Sequence, residues 1–83
     1  VRIEYFAWLQ DKVGLEKEEV TIPPEVIDVR GLVHWLSGRG PNYADAFEFA
    51  EVVKVVVNRK HAHYDEPVKQ EDEVVFIPPI SGG

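Results

Sequence analysis

Apolar and polar residues alternate from the first position, with Val1, Ile3 and Tyr5 set against Arg2 and Glu4. That period of two is the signature of a half-buried strand. The pattern then changes. Leu9 and Val13 stand four apart within Ala7 to Val13, predicting a short helical turn that Gly14 ends. Glu18 to Ile22 reads as a second strand, closed by Pro23-Pro24, which cannot extend a ladder. The clearest helix follows. Val29, Leu32, Val33 and Leu36 fall on one continuous stripe behind Asp28, whose short carboxylate suits an N-cap. Gly38-Arg39-Gly40-Pro41 stops it, and Tyr43 and Phe47 predict one or two further turns over Asn42 to Phe47.

Val52 to Val57 is dominated by β-branched residues with little polar interruption, so it reads as a strand covered on both faces. Asn58-Arg59-Lys60 turns the chain into a short strand near Ala62 to Tyr64. Polar turns at Asp65-Glu66-Pro67 and Gln70-Glu71-Asp72 precede a final strand, Glu73 to Ile77, which Pro78-Pro79 ends. The order is strand, strand, main helix, then three strands. It predicts an α+β fold, a mixed sheet of about five strands with one main helix on one face. Residues 1–77 form the domain and residues 78–83 an extended tail. Trp8 and Trp35 are expected to pack in or at the margin of the core.

Composition narrows the possible functions. Eighty-three residues suit one domain, and with no cysteine the chain has no disulfide, thiolate metal site or thiol nucleophile. Nine Lys+Arg against fifteen Asp+Glu give a formal charge of −6, and no basic cluster exceeds Arg59-Lys60. Nucleic acid is therefore not an expected partner. The apolar runs are too short to span a bilayer. The opening Val-Arg-Ile-Glu-Tyr-Phe lacks the apolar block of a signal peptide, and the missing initiator Met implies trimming or an omitted residue. The expected compartment is the cytoplasm.

Few side chains suggest catalysis. His61 and His63 share one strand face, and Asp65 is close enough in sequence to join them as a metal-binding set. Such pairs are common on surface strands and the usual zinc spacings are missing, so no metal site is assigned. His34 lies off the helical stripe and reads as solvated. Glu16-Glu18-Glu19 and Glu71-Asp72-Glu73 flank turns, where water keeps carboxylates ordinary, whereas acid–base pairs need a pocket. Ser37 has no neighbouring base, and Gly38-Arg39-Gly40 lacks the setting and the lysine of a phosphate loop.

The tail resists so plain a reading. The last strand runs on as Ile77-Pro78-Pro79-Ile80-Ser81-Gly82-Gly83. Two prolines keep the exit extended and stiff, and two glycines carry no side chain to obstruct a narrow site. A carboxylate at Gly83 is a poor electrophile until a partner activates it as an acyl-adenylate. A sulfur nucleophile could then turn it into a thiocarboxylate. The plain alternative is a frayed terminus.

The element order with a Gly-Gly tail resembles the ubiquitin-like β-grasp proteins. Within them, Asp72 to Gly83 is similar to the small subunit of molybdopterin synthase, whose signature is apolar-Pro-Pro-apolar-Ser-Gly-Gly. Tyr5-Phe6-Ala7, Val13-Gly14, Arg39-Gly40-Pro41 and Val56-Val57-Asn58 extend the match along the chain. Glu71 stands where that family usually has Gly, and His61 where it often has an apolar residue. The thiamin thiazole carrier shares the fold and Gly-Gly but is shorter and lacks Pro-Pro.

The resemblance implies a β-grasp sheet with the first and last strands as parallel neighbours at its centre. It implies that Gly83 carries first AMP and then sulfur, and that Pro79, Ile80, Ser81 and Gly82 thread the partner's site. Phe6, His61, Ile77 and Pro78 would meet the partner. The chain itself would bind no cofactor, ATP being used by a ubiquitin-activating-type adenylating enzyme and sulfur coming from a persulfide-bearing protein. The acceptor would be cyclic pyranopterin monophosphate on the large catalytic subunit, in a heterotetramer. The alternatives are a sulfur carrier for thiamin thiazole synthesis or tRNA thiolation, and a binding module with an inert tail.

Overall fold

Alternation at the N-terminus becomes β1 (Arg2–Tyr5). In the computed structural model, which describes residues 1–79, the chain then runs α1 (Trp8–Val13), β2 (Lys17–Glu19), α2 (Val29–Ser37) and α3 (Pro41–Ala46). A 3-10 turn (Ala50–Val52) leads into β3 (Lys54–Val57), β4 (Lys60–Ala62) and β5 (Glu73–Ile77). The five strands form one sheet in the order β2-β1-β5-β3-β4. β1 and β5 are parallel neighbours at its centre, as the resemblance implied, and the other pairings are antiparallel.

One face of this sheet makes the core. Val1, Ile3 and Tyr5, Val74 and Phe76, and Val53, Val55 and Val57 are buried against Val29, Leu32, Val33 and Leu36 of α2. Each large aliphatic side chain taken from water contributes about 1.5–3 kcal/mol. Phe76 anchors the aromatic centre, with its ring 6.1 Å from that of Tyr5 and 5.0 Å, edge-on, from that of Phe47. Asp28 caps α2 as expected, its side chain accepting the Gly31 N–H at 2.8 Å. Gly14 ends α1 with φ 90°, a conformation that favours glycine.

The structure corrects several expectations. β2 spans Lys17–Glu19 rather than Glu18 to Ile22. Val20 still exchanges backbone hydrogen bonds with Val1, at 2.8 and 2.9 Å, but the Ile22 N–H then donates to the Gln70 carboxamide at 2.8 Å instead of to β1. β4 begins at Lys60, not near Ala62, because Asn58 and Arg59 both take positive φ (50° and 70°). That is the two-residue hairpin loop whose twist matches the strands it joins. β3 is covered on one face only: Val55 is buried, while Lys54 is exposed and Val56 half-buried. Trp35 packs against the core margin, but Trp8 is exposed at 37%. It follows Ala7, whose φ of 53° turns the chain sharply out of β1. Glu71 holds its turn without a positive φ.

Candidate docking face and tail exit

Strand geometry sends alternate residues to opposite faces. With Val74 and Phe76 inward, Glu73, Val75 and Ile77 of β5 face outward, and the register joins them to neighbours across the sheet. Ile77 pairs with Lys54, and Phe6, whose N–H donates to the Phe76 carbonyl at 3.1 Å, follows Tyr5 into place beside it. Val75 lies between Glu4 and Val56, and Val56 pairs with His61. The outer face is therefore divided. Towards β2 it is charged, with Arg2, Glu4, Lys17, Glu19 and Glu73. From the end of β1 across β5 to β3 it is an apolar strip of Phe6, Ile77, Val75 and Val56, bordered by Lys54 and His61.

Phe6 is 43% exposed, Val56, Val75 and Ile77 are half-buried, and His61 is exposed. The structure thus places Phe6, Ile77 and His61 on one face. It separates Pro78 from them: the Pro78 side chain is fully buried within the chain, which corrects its assignment to a partner surface. The residue that follows a central strand leaves from the middle of the sheet, so its ring packs into the domain rather than over the edge. Pro79 is exposed. Ile80, Ser81, Gly82 and Gly83, the rest of the expected tail, lie outside the described residues. Sequence reasoning misses Val56 because an unbroken β-branched run reads as covered on both faces, although the inward set Val53, Val55 and Val57 turns it outward. It misses Val75 of β5, flanked by the inward Val74 and Phe76, for the same want of a polar neighbour.

Polar contacts brace the scaffold from the other side of the sheet. Glu18 accepts the hydroxyls of Tyr5 and Tyr43 on one oxygen, both at 2.8 Å, and Arg39 donates to its other oxygen at 3.1 Å. The Arg39 guanidinium also lies 5.0 Å from the Tyr43 ring and 5.4 Å from that of Trp35. Burial, followed by the Glu18 hydrogen bond, pushes Tyr5 far above the usual phenol range, and the same causes raise Tyr43. Burial also raises Tyr64. At Asp72 burial opposes ionisation, but the Asn58 side chain and the Lys69 backbone N–H outweigh it and hold the carboxyl low. These are structural polar groups, none gathered in an enclosed reactive site. Among the described residues no three His, Asp or Glu side chains are placed to hold a metal ion, His61, His63 and Asp65 included. Nor is any described helix long and apolar enough to cross a membrane.

A mixed five-stranded sheet grasping one main helix, with its last strand central and parallel to its first, defines a β-grasp protein of the ubiquitin-like class. The sequence matches the ThiS family over residues 3–83, and the chain belongs to that family. It is 28% identical over 83 residues to the molybdopterin synthase sulfur carrier subunit of Escherichia coli (strain K12), covering 100% of this chain and 99% of the relative. Among solved structures it is similar to SAMP1 from Haloferax volcanii (TM-score 0.77, 24% identity, 99% of this chain and 97% of that one). It is also similar to a chain of the complex of subunits 1 and 2 of molybdopterin-converting factor from Helicobacter pylori 26695 (TM-score 0.62, 18% identity, 99% and 96%).

Proposed function

We propose that this chain is a sulfur carrier for molybdopterin synthesis, working through a thiocarboxylate at Gly83. The observation that carries the reading is the exit of β5. The central strand leaves the sheet through Pro78-Pro79 beside an apolar strip that no other described element covers. Such a strip marks a protein interface. Support also comes from the full-length match to a relative named as a sulfur carrier subunit and from a family match that runs through Gly83.

In this proposal the chain supplies a handle rather than an acid or base. An adenylating enzyme couples the Gly83 carboxylate to the α-phosphate of ATP and releases pyrophosphate. The terminal sulfur of a protein persulfide attacks the acyl carbon, and AMP leaves. A thiol then reduces the resulting acyl disulfide, freeing the thiocarboxylate. Docked through Phe6 and Ile77, with His61 at the border, the chain presents that sulfur to cyclic pyranopterin monophosphate on a large catalytic subunit. Pro79, Ile80, Ser81 and Gly82 thread the entrance. The chain binds no cofactor of its own, and its ATP-dependent charging belongs in the cytoplasm. A large-subunit partner is consistent with the two-subunit complex that contains the Helicobacter pylori relative.

Deletion of Gly83 tests the reading. With purified activating enzyme, sulfur source and large subunit, the truncated chain should form no molybdopterin, while its melting temperature stays close to that of the parent. Gly82→Val should impair transfer as well, through bulk and restricted backbone angles. Molybdopterin formation by the truncated chain would show that the Gly83 carboxylate is not the working group.

A further inference from the structure

The exposed apolar residues are unevenly placed. Six large hydrophobic side chains are exposed among the described residues, and five of them, Phe6, Trp8, Leu15, Phe49 and Val52, lie in segments that meet the end of the sheet where β5 leaves it. Phe6 follows β1 and Trp8 opens α1. On the opposite flank, β3 starts at Lys54, which pairs with Ile77 at the end of β5, so the 3-10 turn carrying Val52 feeds the sheet at the same end. Phe49 precedes the 3-10 turn, and its carbonyl accepts the Val52 N–H at 3.1 Å. The Tyr64 hydroxyl donates to the Ala50 carbonyl and, at 3.4 Å, to that of Val53, tying this turn to the segment after β4. Phe49 and Val52 nevertheless remain 61% and 46% exposed.

We infer that Phe49 and Val52 form a second apolar wall of the docking surface, across the tail exit from Phe6, and that the occupant is the entrance of the subunit that receives the tail. The inference rests on the function proposed above. Reach supplies the argument. The four residues beyond Pro79 extend at most ~3.3–3.6 Å each, about 14 Å together. A site that acts on Gly83 must therefore bring its mouth close against the exit. The rim of that mouth then meets both flanks, Phe6 and Ile77 on one and Phe49 and Val52 on the other. Apolar side chains on the rim bury these residues without leaving polar groups unpaired. The partner is thus an enzyme whose entrance carries an apolar collar on two sides of a narrow channel.

The test is a titration of purified large subunit with the parent chain and with the Phe49→Ser/Val52→Ser variant. The expected result is at least a tenfold weaker affinity with a melting temperature near that of the parent. Ile27→Ser serves as control. Ile27 is 67% exposed and its carbonyl accepts the Val68 N–H at 3.0 Å, in the segment leading to the other end of β5, so its variant should bind as the parent does. If the double variant melts much lower, Phe49→Ala alone should still weaken binding about threefold or more. Parent-like affinity in a folded Phe49 variant, with the parent chain binding and transferring sulfur, would overturn the inference and leave the proposed function standing. If the parent chain itself neither binds nor transfers, both fall.

Discussion

The two faces of the sheet are built from neighbouring residues of the same strands, yet they do different work. On β5, Val74 and Phe76 are fully buried under α2, whereas Glu73, Val75 and Ile77 between and beside them are only partly covered. The inner face supplies the burial that holds the chain folded. The outer face carries valine, isoleucine and phenylalanine that folding leaves in contact with water. A single-layer helix cover protects one face only, so apolar residues on the other are surface available for association.

The sharpest way to break that comparison is a pair of adjacent truncations. Phe76→Ala removes the ring that packs on Tyr5 and Phe47 and should cost about 3–5 kcal/mol of stability. Val75→Ala, one residue away on the outer face, should cost about 1 kcal/mol or less. Urea unfolding of both variants checks this. Equal losses would mean that the outer face is as much a part of the core as the inner one.

A smaller effect sharpens the role of the Glu18 brace. Glu18→Ala leaves the Tyr5 and Tyr43 hydroxyls without their acceptor and frees Arg39, and should cost about 1–3 kcal/mol. The same contacts fix a pH dependence. Tyr5 and Tyr43 have folded-state pKa values raised above the unfolded value of about 10. Their contribution is therefore complete below about pH 10 and is lost as pH rises beyond it towards the folded values, because the unfolded chain releases the protons more readily. Chemical denaturation of the parent from pH 9 upward should show falling stability, and Tyr5→Phe should flatten the fall. An unchanged slope in Tyr5→Phe would remove Tyr5 from this account.

Much of this division was legible in the sequence. The α2 stripe from Val29 to Leu36, its Asp28 cap and the strand Glu73–Ile77 are local patterns, and the structure reproduces them. The outward placement of Phe6 and Ile77 was legible because a sheet with one main helix must leave a face bare. What failed depended on partners distant in sequence. The end of β2 turns on Gln70, 48 residues from Ile22, and the start of β4 on two consecutive left-handed residues that no hydrophobic pattern encodes. Pro78 read as tail because proline ends strands, yet its buried ring belongs to the domain. Phe49 gave no sequence signal, and Val52 read as the start of a strand that begins only at Lys54; exposure of an apolar residue in a turn is decided by what packs above it.

The most direct test of the division is Ile77→Asp, measured for stability and for association on the same preparation. Ile77 is half-buried, pairs with Lys54 and lies beside Phe6 on the outer face. Its aspartate variant keeps access to water in the free chain, so the melt should shift by no more than about 1 kcal/mol. Docking would bury that charge without a partner, and the affinity for the large subunit should fall at least tenfold. A large drop in melting temperature with affinity retained would contradict the account, showing Ile77 to be a core residue and the docking face to lie elsewhere.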